Sequence, residues 1–305
     1  MRGLARICSS VHKLIFAHVL NPVWHSREVR RHRREEVLAQ AMASYLRRSL
    51  KGEDLRHTAP VAPAGTAERI FSIWFQGEEK APELVKSCWA SMRRNTGLEL
   101  VILDEHTLWD WITLPDYIMR KWKAGKICAA NFSDICRAEL LWKYGGYWMD
   151  ATCFVPHAIP AEVSGSDFFI YMAGESVVGW YAFIQSCFIH ARPGHPIVGA
   201  WCRAMHAYWR REDKAEDYFI NLMLFRHAVT CHDEARCLFE QMPKVCQDAT
   251  HAIWFGLHNQ PYVEAQFEQL TSAVAFQKTT YRSPWATNPV PGSNADYIVG
   301  WHKRP

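Results

Sequence analysis

The chain has 305 residues, with 35 Lys and Arg against 31 Asp and Glu and 49% hydrophobic residues. This length and apolar content indicate a globular protein with a large core and allow one or two domains. Ten cysteines lie scattered along the chain, mostly in apolar runs. Their spacing excludes a small disulfide-stapled scaffold and favours reduced, buried thiols of a cytoplasmic protein.

The basic charge is concentrated at the N-terminus, because residues 1–56 hold 12 Lys and Arg against 5 Asp and Glu. Two amphipathic helices are predicted there. The first has its apolar stripe through Leu4, Ile7, Val11, Leu14, Ile15 and His18. The second has its stripe through Leu38, Met42, Tyr45 and Ser49. The apolar run at 14–20 is too short to span a bilayer and no cleavage site follows it, so neither a transmembrane helix nor a signal peptide is predicted.

This basic helical extension, residues 1–56, fits three uses. It can bind an anionic membrane surface, where each cation contributes on the order of 1 kcal/mol. It can instead pack as a helical extension on the rest of the chain. Nucleic-acid binding is the third use, but no recognition motif accompanies the arginines, so we expect no nucleic-acid partner.

Residues 57–66, HTAPVAPAGT, are predicted to form a linker, followed by one folded domain over residues 67–305. Apolar runs in that domain predict strands at 69–76, 99–103, 147–149, 167–172 and 186–190. Helical periodicity predicts helices at 82–94, 129–143 and 218–229. Because strands alternate with helices, the pattern indicates an α/β fold with a largely parallel sheet.

Residues 133–152, SDICRAELLWKYGGYWMDAT, carry the most information about function. The helix over 129–143 brings Asp134 and Arg137 onto one face, either as a stabilising ion pair or as a clamp for sugar hydroxyls and phosphate. A glycine pair then ends the helix before a short buried strand. Asp150 follows that strand at its carboxyl end, where open α/β sheets collect ligand-binding groups. This aspartate either caps the next turn or binds a divalent cation on a diphosphate.

The segment resembles the capsular polysaccharide synthesis protein family and the related sugar transferases with a DxD motif, glycosyltransferase family 32 among them. The residues that carry the resemblance are Ser133, Asp134, Arg137, Leu141, Tyr144, Gly145, Gly146, Asp150, Ala151 and Thr152. The similarity extends to 73–88 and 114–118 upstream and to 186–196 and 217–225 downstream, and so covers roughly residues 70–230.

The resemblance implies a GT-A fold, a Rossmann-like mixed, mostly parallel sheet flanked by helices. It also implies transfer, with retention, from a nucleotide-sugar donor, UDP-linked, to a capsular or other saccharide acceptor or a lipid-linked saccharide. Such an enzyme would be cytoplasmic, with the basic extension holding it on the inner face of the cell membrane. A catalytically inactive sugar-binding relative and a nucleic-acid-binding adaptor are the alternative functions.

The resemblance also assigns roles to individual residues. The catalytic candidates are Asp150, Arg137, Gln185 and Asp217. The donor-binding candidates are Trp74, Phe75, Gln76, Asp134, Arg137, Tyr144, Gly145, Gly146 and Trp148. The metal-binding candidates, for a weakly held Mn²⁺ or Mg²⁺, are Asp150, Thr152 and His302. The ion would be weakly held because Thr152 stands where the motif has its second acid, and a hydroxyl is a weak ligand.

Two of these candidates have equally good structural explanations. Gln185 opens a predicted strand and is either an acceptor-side residue or a polar residue at the strand edge. Asp217 precedes an apolar helix and either approaches the reacting carbon or caps that helix.

Overall fold

The computed structural model describes residues 27–63, 65–174, 179 and 181–304, and residues 27–32 through their backbone alone. The first predicted N-terminal helix and Cys8 lie outside the described residues. The nine cysteines that are described are all free thiols, and five of them are buried.

Seven strands are found in the described chain. In chain order they are β1 (Arg69–Ile73), β2 (Glu99–Leu103), β3 (Gly146–Met149), β4 (Cys153–Phe154), β5 (Phe168–Met172), β6 (Ile184–Ala191) and β7 (Gln277–Lys278).

The α-helices surround the strands. In chain order they are α1 (Arg27–Ser49), α2 (Glu83–Asn95), α3 (Asp116–Lys123), α4 (Ala129–Tyr144), α5 (Ala161–Ser164), α6 (Pro196–Arg211), α7 (Ile220–Cys231), α8 (Asp233–Gln241), α9 (Glu264–Thr271), α10 (Pro284–Thr287) and α11 (Asn294–Val299). Short 3₁₀ turns lie at Glu78–Lys80, Thr107–Asp110, Asp248–His251 and Trp301–Lys303, and a π-helix at Ile253–Leu257. Within the described residues, no helix is both long and apolar enough to cross a membrane.

The main sheet has five strands in the order β2-β1-β3-β6-β5 and is mixed. Strand β1 pairs in parallel with β2 and β3, whereas β6 is antiparallel to both of its neighbours, β3 and β5. The predicted mixed α/β fold is therefore confirmed, but β6 makes half of the strand pairs antiparallel. A two-stranded ribbon of β4 and β7, which the sequence patterns did not predict, lies beside this sheet.

Side chains alternate across the sheet and feed a core on each face. In β3, Trp148 joins the core formed with α4 and α6, while Tyr147 and Met149 join the core formed with α2. Helix α4 buries the predicted apolar stripe of Ile135, Ala138, Leu141 and Trp142. This packing fixes the helix against β3, so its polar residues are held rigidly at the sheet.

The C-terminal half of α1 packs on the rest of the chain. Leu46 is fully buried, and the Tyr45 hydroxyl donates to the Glu212 carboxylate at 3.0 Å. The predicted linker is also fastened, because the Trp142 Nε1 donates to the Ala59 carbonyl at 3.1 Å. Packing, one of the three predicted uses of the basic extension, therefore accounts for this part of α1.

The glycine pair after α4 makes the turn into β3. Gly145 and Gly146 both have positive φ, 64° and 80°, a backbone region that favours glycine. A Cβ on Gly146 would lie 2.4 Å from the Arg69 carbonyl oxygen of β1. Tyr144 donates to the Trp111 carbonyl at 2.9 Å. These three residues therefore have structural roles at the start of β3, and donor binding by them stays a prediction.

Substituting Gly146 with alanine should lower the free energy of unfolding by about 2–4 kcal/mol, because strained φ and backbone overlap add together. Gly97→Ala is the matched control, since Gly97 also has a positive φ, 69°, but open space around its Cβ position. That control should cost only about 1 kcal/mol. Urea unfolding of the two variants measures the difference, and equal losses would contradict the close approach of β3 to β1.

Candidate active site

Three charged residues from the predicted motif meet where β3 ends. One terminal nitrogen of Arg137, on α4, lies 3.0 Å from the Asp134 carboxylate and 3.4 Å from the Asp150 carboxylate. Helical spacing brings the first pair together, and the sheet brings Asp150 to the same point. We call Asp134, Arg137 and Asp150 the acid–arginine cluster.

Neighbouring groups hold the cluster in one geometry. Arg137 donates to the Ser186 carbonyl of β6 at 2.6 Å, and its guanidinium lies 4.8 Å from the centre of the Trp148 ring. The Trp148 Nε1 donates to Asp150 Oδ1 at 2.9 Å. Trp148, a predicted donor-binding residue, is itself buried and therefore orients the two charged side chains.

A fourth charged residue, Lys278, joins the cluster from far along the chain. It lies on β7, paired with Cys153 of β4, and its Nζ is 3.3 Å from Asp150 Oδ2. The same ammonium contacts the Thr152 hydroxyl. No sequence pattern predicted this role for Lys278, because it is a single lysine in a segment without a recognisable motif.

The charges of the cluster set the protonation of its members. Burial raises the pKa of Asp134 to about 6, with the Asp150 charge adding to the effect of burial and the Arg137 charge opposing it. Burial also disfavours ionised Asp150, but Lys278 and Arg137 outweigh it and hold that pKa below its usual value. Burial likewise disfavours charged Lys278, yet Asp150 keeps its pKa above the usual value. Lys278 and Asp150 are therefore both charged at neutral pH.

The cluster opens to solvent at Asp150. Its side chain is 28% exposed, compared with 13% for Asp134 and 7% for Arg137. Tyr218, which is 61% exposed, stands close by. Burial, together with the charges of Asp134 and Asp150, raises the pKa of Tyr218. Asp150 is thus the most exposed acid of the cluster, while Asp134 and Arg137 are more shielded.

An aromatic groove of about 430 Å³ lies elsewhere along α4, and none of the three cluster residues is part of its lining. Its lining residues are Phe75, Glu105, Trp109, Met119, Trp122, Lys123 and Phe132. Phe132 precedes Asp134 by two positions on α4 and stacks on Trp122 with ring centres 4.2 Å apart. Trp109 is 38% exposed and offers a ring to a ligand. Of the predicted donor-binding residues, Phe75 lines this groove and Gln76 is exposed just after it.

Trp74, the other aromatic donor-binding candidate, lies at the end of β1. Its ring meets Trp89 and Tyr281 edge-on, with ring centres 6.5 and 5.2 Å apart. Its buried Nε1 has no hydrogen-bond partner among the described residues. Because Tyr281 comes three positions after Lys278, Trp74 lies on the side of the cluster that β7 forms.

The remaining candidates divide between the site and the scaffold. Gln185 Nε2 is 3.1 Å from the ring of His251, whose pKa is lowered to about 4 by burial and by the Lys278 charge. Gln185 is thus near the cluster. Asp217 accepts a hydrogen bond at 2.8 Å from the Phe219 N–H, in the turn just before α7. The N-cap residue of α7 is Phe219, so Asp217 does not cap this helix.

His302 is held at α2. Its Nδ1 is 2.7 Å from the Ser87 hydroxyl and its Nε2 is 3.0 Å from the Glu83 carboxylate. The contacts found for it among the described residues do not include Asp150 or Thr152. The C-terminal 3₁₀ turn packs on α2, so the predicted metal set of Asp150, Thr152 and His302 is not assembled.

The remaining pair is a poor site for Mg²⁺ or Mn²⁺. Such ions take several oxygen ligands, preferably carboxylates, whereas this site offers Asp150, the Thr152 hydroxyl and an ammonium lying between them. A different group is a possible metal-binding site. The ligand atoms of His57, Glu139 and Cys202 all lie within 4.8 Å of one another, inside the protein. No such group forms around Cys231 among the described residues.

The chain belongs to the capsular polysaccharide synthesis protein family, whose model matches residues 22–289. The resemblance seen in the motif is therefore confirmed, and the match includes α1 but ends before His302. Among solved structures, the chain is similar to one titled PaToxG Glycosyltransferase, at 13% identity and a TM-score of 0.37, over 90% of this chain and 97% of that one. None of the curated proteins matches the sequence.

Asparagine in place of Asp134 should stabilise the protein in a pH-dependent way. Because the native pKa of about 6 exceeds the unfolded value, the native state binds more protons between pH 4 and 6, and wild-type stability falls as pH rises through that window. The Asp134→Asn variant does not lose stability in this window, because asparagine does not ionise. Its advantage in free energy of unfolding should be small near pH 4 and grow to about 2–3 kcal/mol above pH 7.

Urea unfolding at several pH values measures the advantage of Asp134→Asn. Asp54→Asn is a control of opposite sign, because hydrogen bonds from Arg56 lower the pKa of Asp54 to about 2. An Asp134→Asn advantage that does not change with pH would contradict the raised pKa.

Proposed function

We propose that this protein is a GT-A glycosyltransferase, which moves a sugar from a nucleotide-sugar donor, UDP-linked, to a capsular or other surface saccharide or glycolipid acceptor. One observation carries the proposal. Two carboxylates and a guanidinium from α4 and the end of β3 meet in a single cluster that opens to solvent at Asp150. An ion pair that served stability alone would need no such opening.

The reaction explains why these groups belong together. The bond between the anomeric carbon and the diphosphate oxygen breaks, a bond to an acceptor hydroxyl oxygen forms, and the proton of that hydroxyl passes to the departing diphosphate. The leaving diphosphate gains negative charge, so fixed cations near Asp150 stabilise the transition state. Asp134 and Arg137 would hold the sugar hydroxyls, as acceptor and donor of hydrogen bonds.

The aromatic groove is the proposed site for the nucleoside. Its volume of about 430 Å³ suits a base with its ribose, and aromatic rings favour flat ligands. The exposed ring of Trp109 offers a stacking surface, and the half-buried rings of Trp122 and Phe75 lie beside it. Trp74 stays a second candidate for the base.

Several finer predictions remain part of the proposal. Retention of the anomeric configuration is supported by the family resemblance alone. Gln185 would face the acceptor side, because it lies near Lys278 through His251. A divalent cation was predicted at Asp150 and Thr152, but the Lys278 ammonium contacts both of these side chains. Attachment to an anionic membrane through residues 1–56 stays a prediction as well, and vesicle sedimentation with and without anionic lipid tests it.

A screen of nucleotide sugars tests the function directly. The full chain is incubated with each donor and a saccharide acceptor, with Mn²⁺ or with a chelator, and free nucleoside diphosphate is measured. Release that depends on one donor and increases with acceptor supports the transferase. Donor binding without release would indicate the inactive sugar-binding relative. Nucleic-acid binding that is lost on deleting residues 1–56 would indicate the adaptor.

A further inference from the structure

We infer that the Lys278 ammonium takes the place of a divalent cation at this site, so that binding of the donor diphosphate and its departure require no metal ion. The inference rests on the proposed function and specifies how the leaving group is neutralised. It also corrects the expectation of a weakly held Mn²⁺ or Mg²⁺.

The position of the Lys278 ammonium is the first observation that supports this inference. Lys278 Nζ lies 3.3 Å from Asp150 Oδ2 and also contacts the Thr152 hydroxyl. These are two of the three side chains predicted to ligate a metal, and the third, His302, is bound at α2. A positive charge of the protein itself is therefore at the point where the metal was expected.

The fold fixes this position. Strand β7 pairs with β4, the Thr279 N–H donates to the Thr152 carbonyl at 2.9 Å, and the Gln277 side chain donates to the Ala249 carbonyl at 2.9 Å. The residues on both sides of Lys278 are thus anchored. A long lysine stem is usually mobile, but here its backbone is held and its side chain is only 13% exposed.

The charges around Asp150 also favour the Lys278 ammonium over a divalent cation. Thr152 stands where a second acid would supply negative charge, and Lys278 adds a positive one. Arg137 pairs with both Asp134 and Asp150, and Lys278 pairs with Asp150, so two fixed cations already balance the two carboxylates. A divalent cation here would add charge to a cluster that is already neutral. The ammonium instead neutralises Asp150 from 3.3 Å.

The ammonium is also chemically suited to the task. It has three N–H donors, and the contacts with Asp150 and Thr152 account for two of them. The third can donate to a diphosphate oxygen reaching the open side of Asp150. Lysine acts on phosphates as a point charge in this manner. It brings one positive charge where a metal brings two, which predicts weaker binding of the diphosphate but no dependence on metal.

Calorimetric titration of UDP into the full chain, in chelator and in excess Mn²⁺, tests the inference, with GDP as a second probe. Wild type should bind with the same dissociation constant, to within about twofold, in both conditions. Lys278→Met, of similar shape without the charge, should weaken binding at least about tenfold in chelator, and Lys278→Arg should keep most of it. The double variant Thr152→Asp, Lys278→Ala, which rebuilds an acidic pair, should bind UDP only with Mn²⁺.

The outcomes separate the inference from the proposed function. Wild-type binding that strengthens more than about tenfold with Mn²⁺ overturns the inference and leaves the transferase standing. Unchanged binding by Lys278→Met likewise overturns it. Failure of wild type to bind either nucleotide with or without Mn²⁺ overturns both. The comparison of wild type in the two conditions needs no variant, so it holds even where Lys278→Met does not fold.

Discussion

Asparagine in place of Asp150 should reduce transfer by about 10²–10³-fold, because it removes the charge that positions Lys278 and Arg137 around the leaving group. Asparagine can still accept the hydrogen bond from the Trp148 Nε1, which now runs to Asp150 Oδ1 at 2.9 Å. It is therefore a milder change than alanine, which would leave that donor unpaired as well. Released nucleoside diphosphate, measured at saturating donor, gives the rate.

The matched control for Asp150→Asn is Asp167→Asn. Asp167 also pairs with an arginine, Arg192, at 2.6 Å, but its side chain is 66% exposed and it lies at the start of β5. Its substitution should leave the rate of transfer unchanged. Near-ultraviolet circular dichroism shows whether both variants keep wild-type packing. A folded Asp150→Asn protein that transfers at the wild-type rate would refute the active-site assignment.

Alanine in place of Arg137 should lower the free energy of unfolding by about 3–5 kcal/mol, the usual loss when one partner of a buried ion pair is removed. Arg137 is only 6% exposed and contacts Asp134, Asp150, the Ser186 carbonyl and the Trp148 ring. Truncation leaves the Asp134 carboxylate and the Ser186 carbonyl without the guanidinium, while Asp150 keeps Trp148 and Lys278 as partners. Urea unfolding at pH 7 measures the loss.

Arg192→Ala is the control for this loss, because the Arg192–Asp167 pair is exposed on both sides. Exposed pairs contribute about 0–1 kcal/mol, so the control should unfold close to wild type. A loss below about 1 kcal/mol for Arg137→Ala would contradict the buried geometry of the cluster. Arg137→Lys keeps the charge without the planar fork, and it is the better variant for measuring donor use in a folded protein.

Local patterns predicted several strands and helices of the main sheet closely. Strand β2 matches the predicted 99–103, and α4 extends the predicted 129–143 by one residue. These elements follow from apolar spacing within a few residues of chain, where neighbouring side chains decide the structure. The ribbon of β4 and β7 was missed, because two-residue strands contain no periodicity and exist through pairing across more than 120 residues.

Within the candidate site, too, local spacing predicted some contacts and long-range packing decided others. Asp134 and Arg137 were found together because helical geometry places residues three apart side by side. Gly145 and Gly146 were assigned to the donor from their place in the motif. Their positive φ, the approach of Gly146 to β1 and the approach of Gly145 to the end of β6 show that both also form the turn into β3. The motif assigns binding roles to residues at both ends of β3. The length of this strand keeps the two ends apart in the folded structure.

The order of residues along the chain thus decided the helix and strand positions, the ion pair on α4 and the acid after β3, all of which depend on near neighbours. The folded structure decided which distant groups complete the site. Lys278 reaches Asp150 because β7 pairs with β4, and His302 stays at α2 because the C-terminal turn packs there. Contacts of this kind depend on how layers pack in space, for which spacing along the chain carries no information.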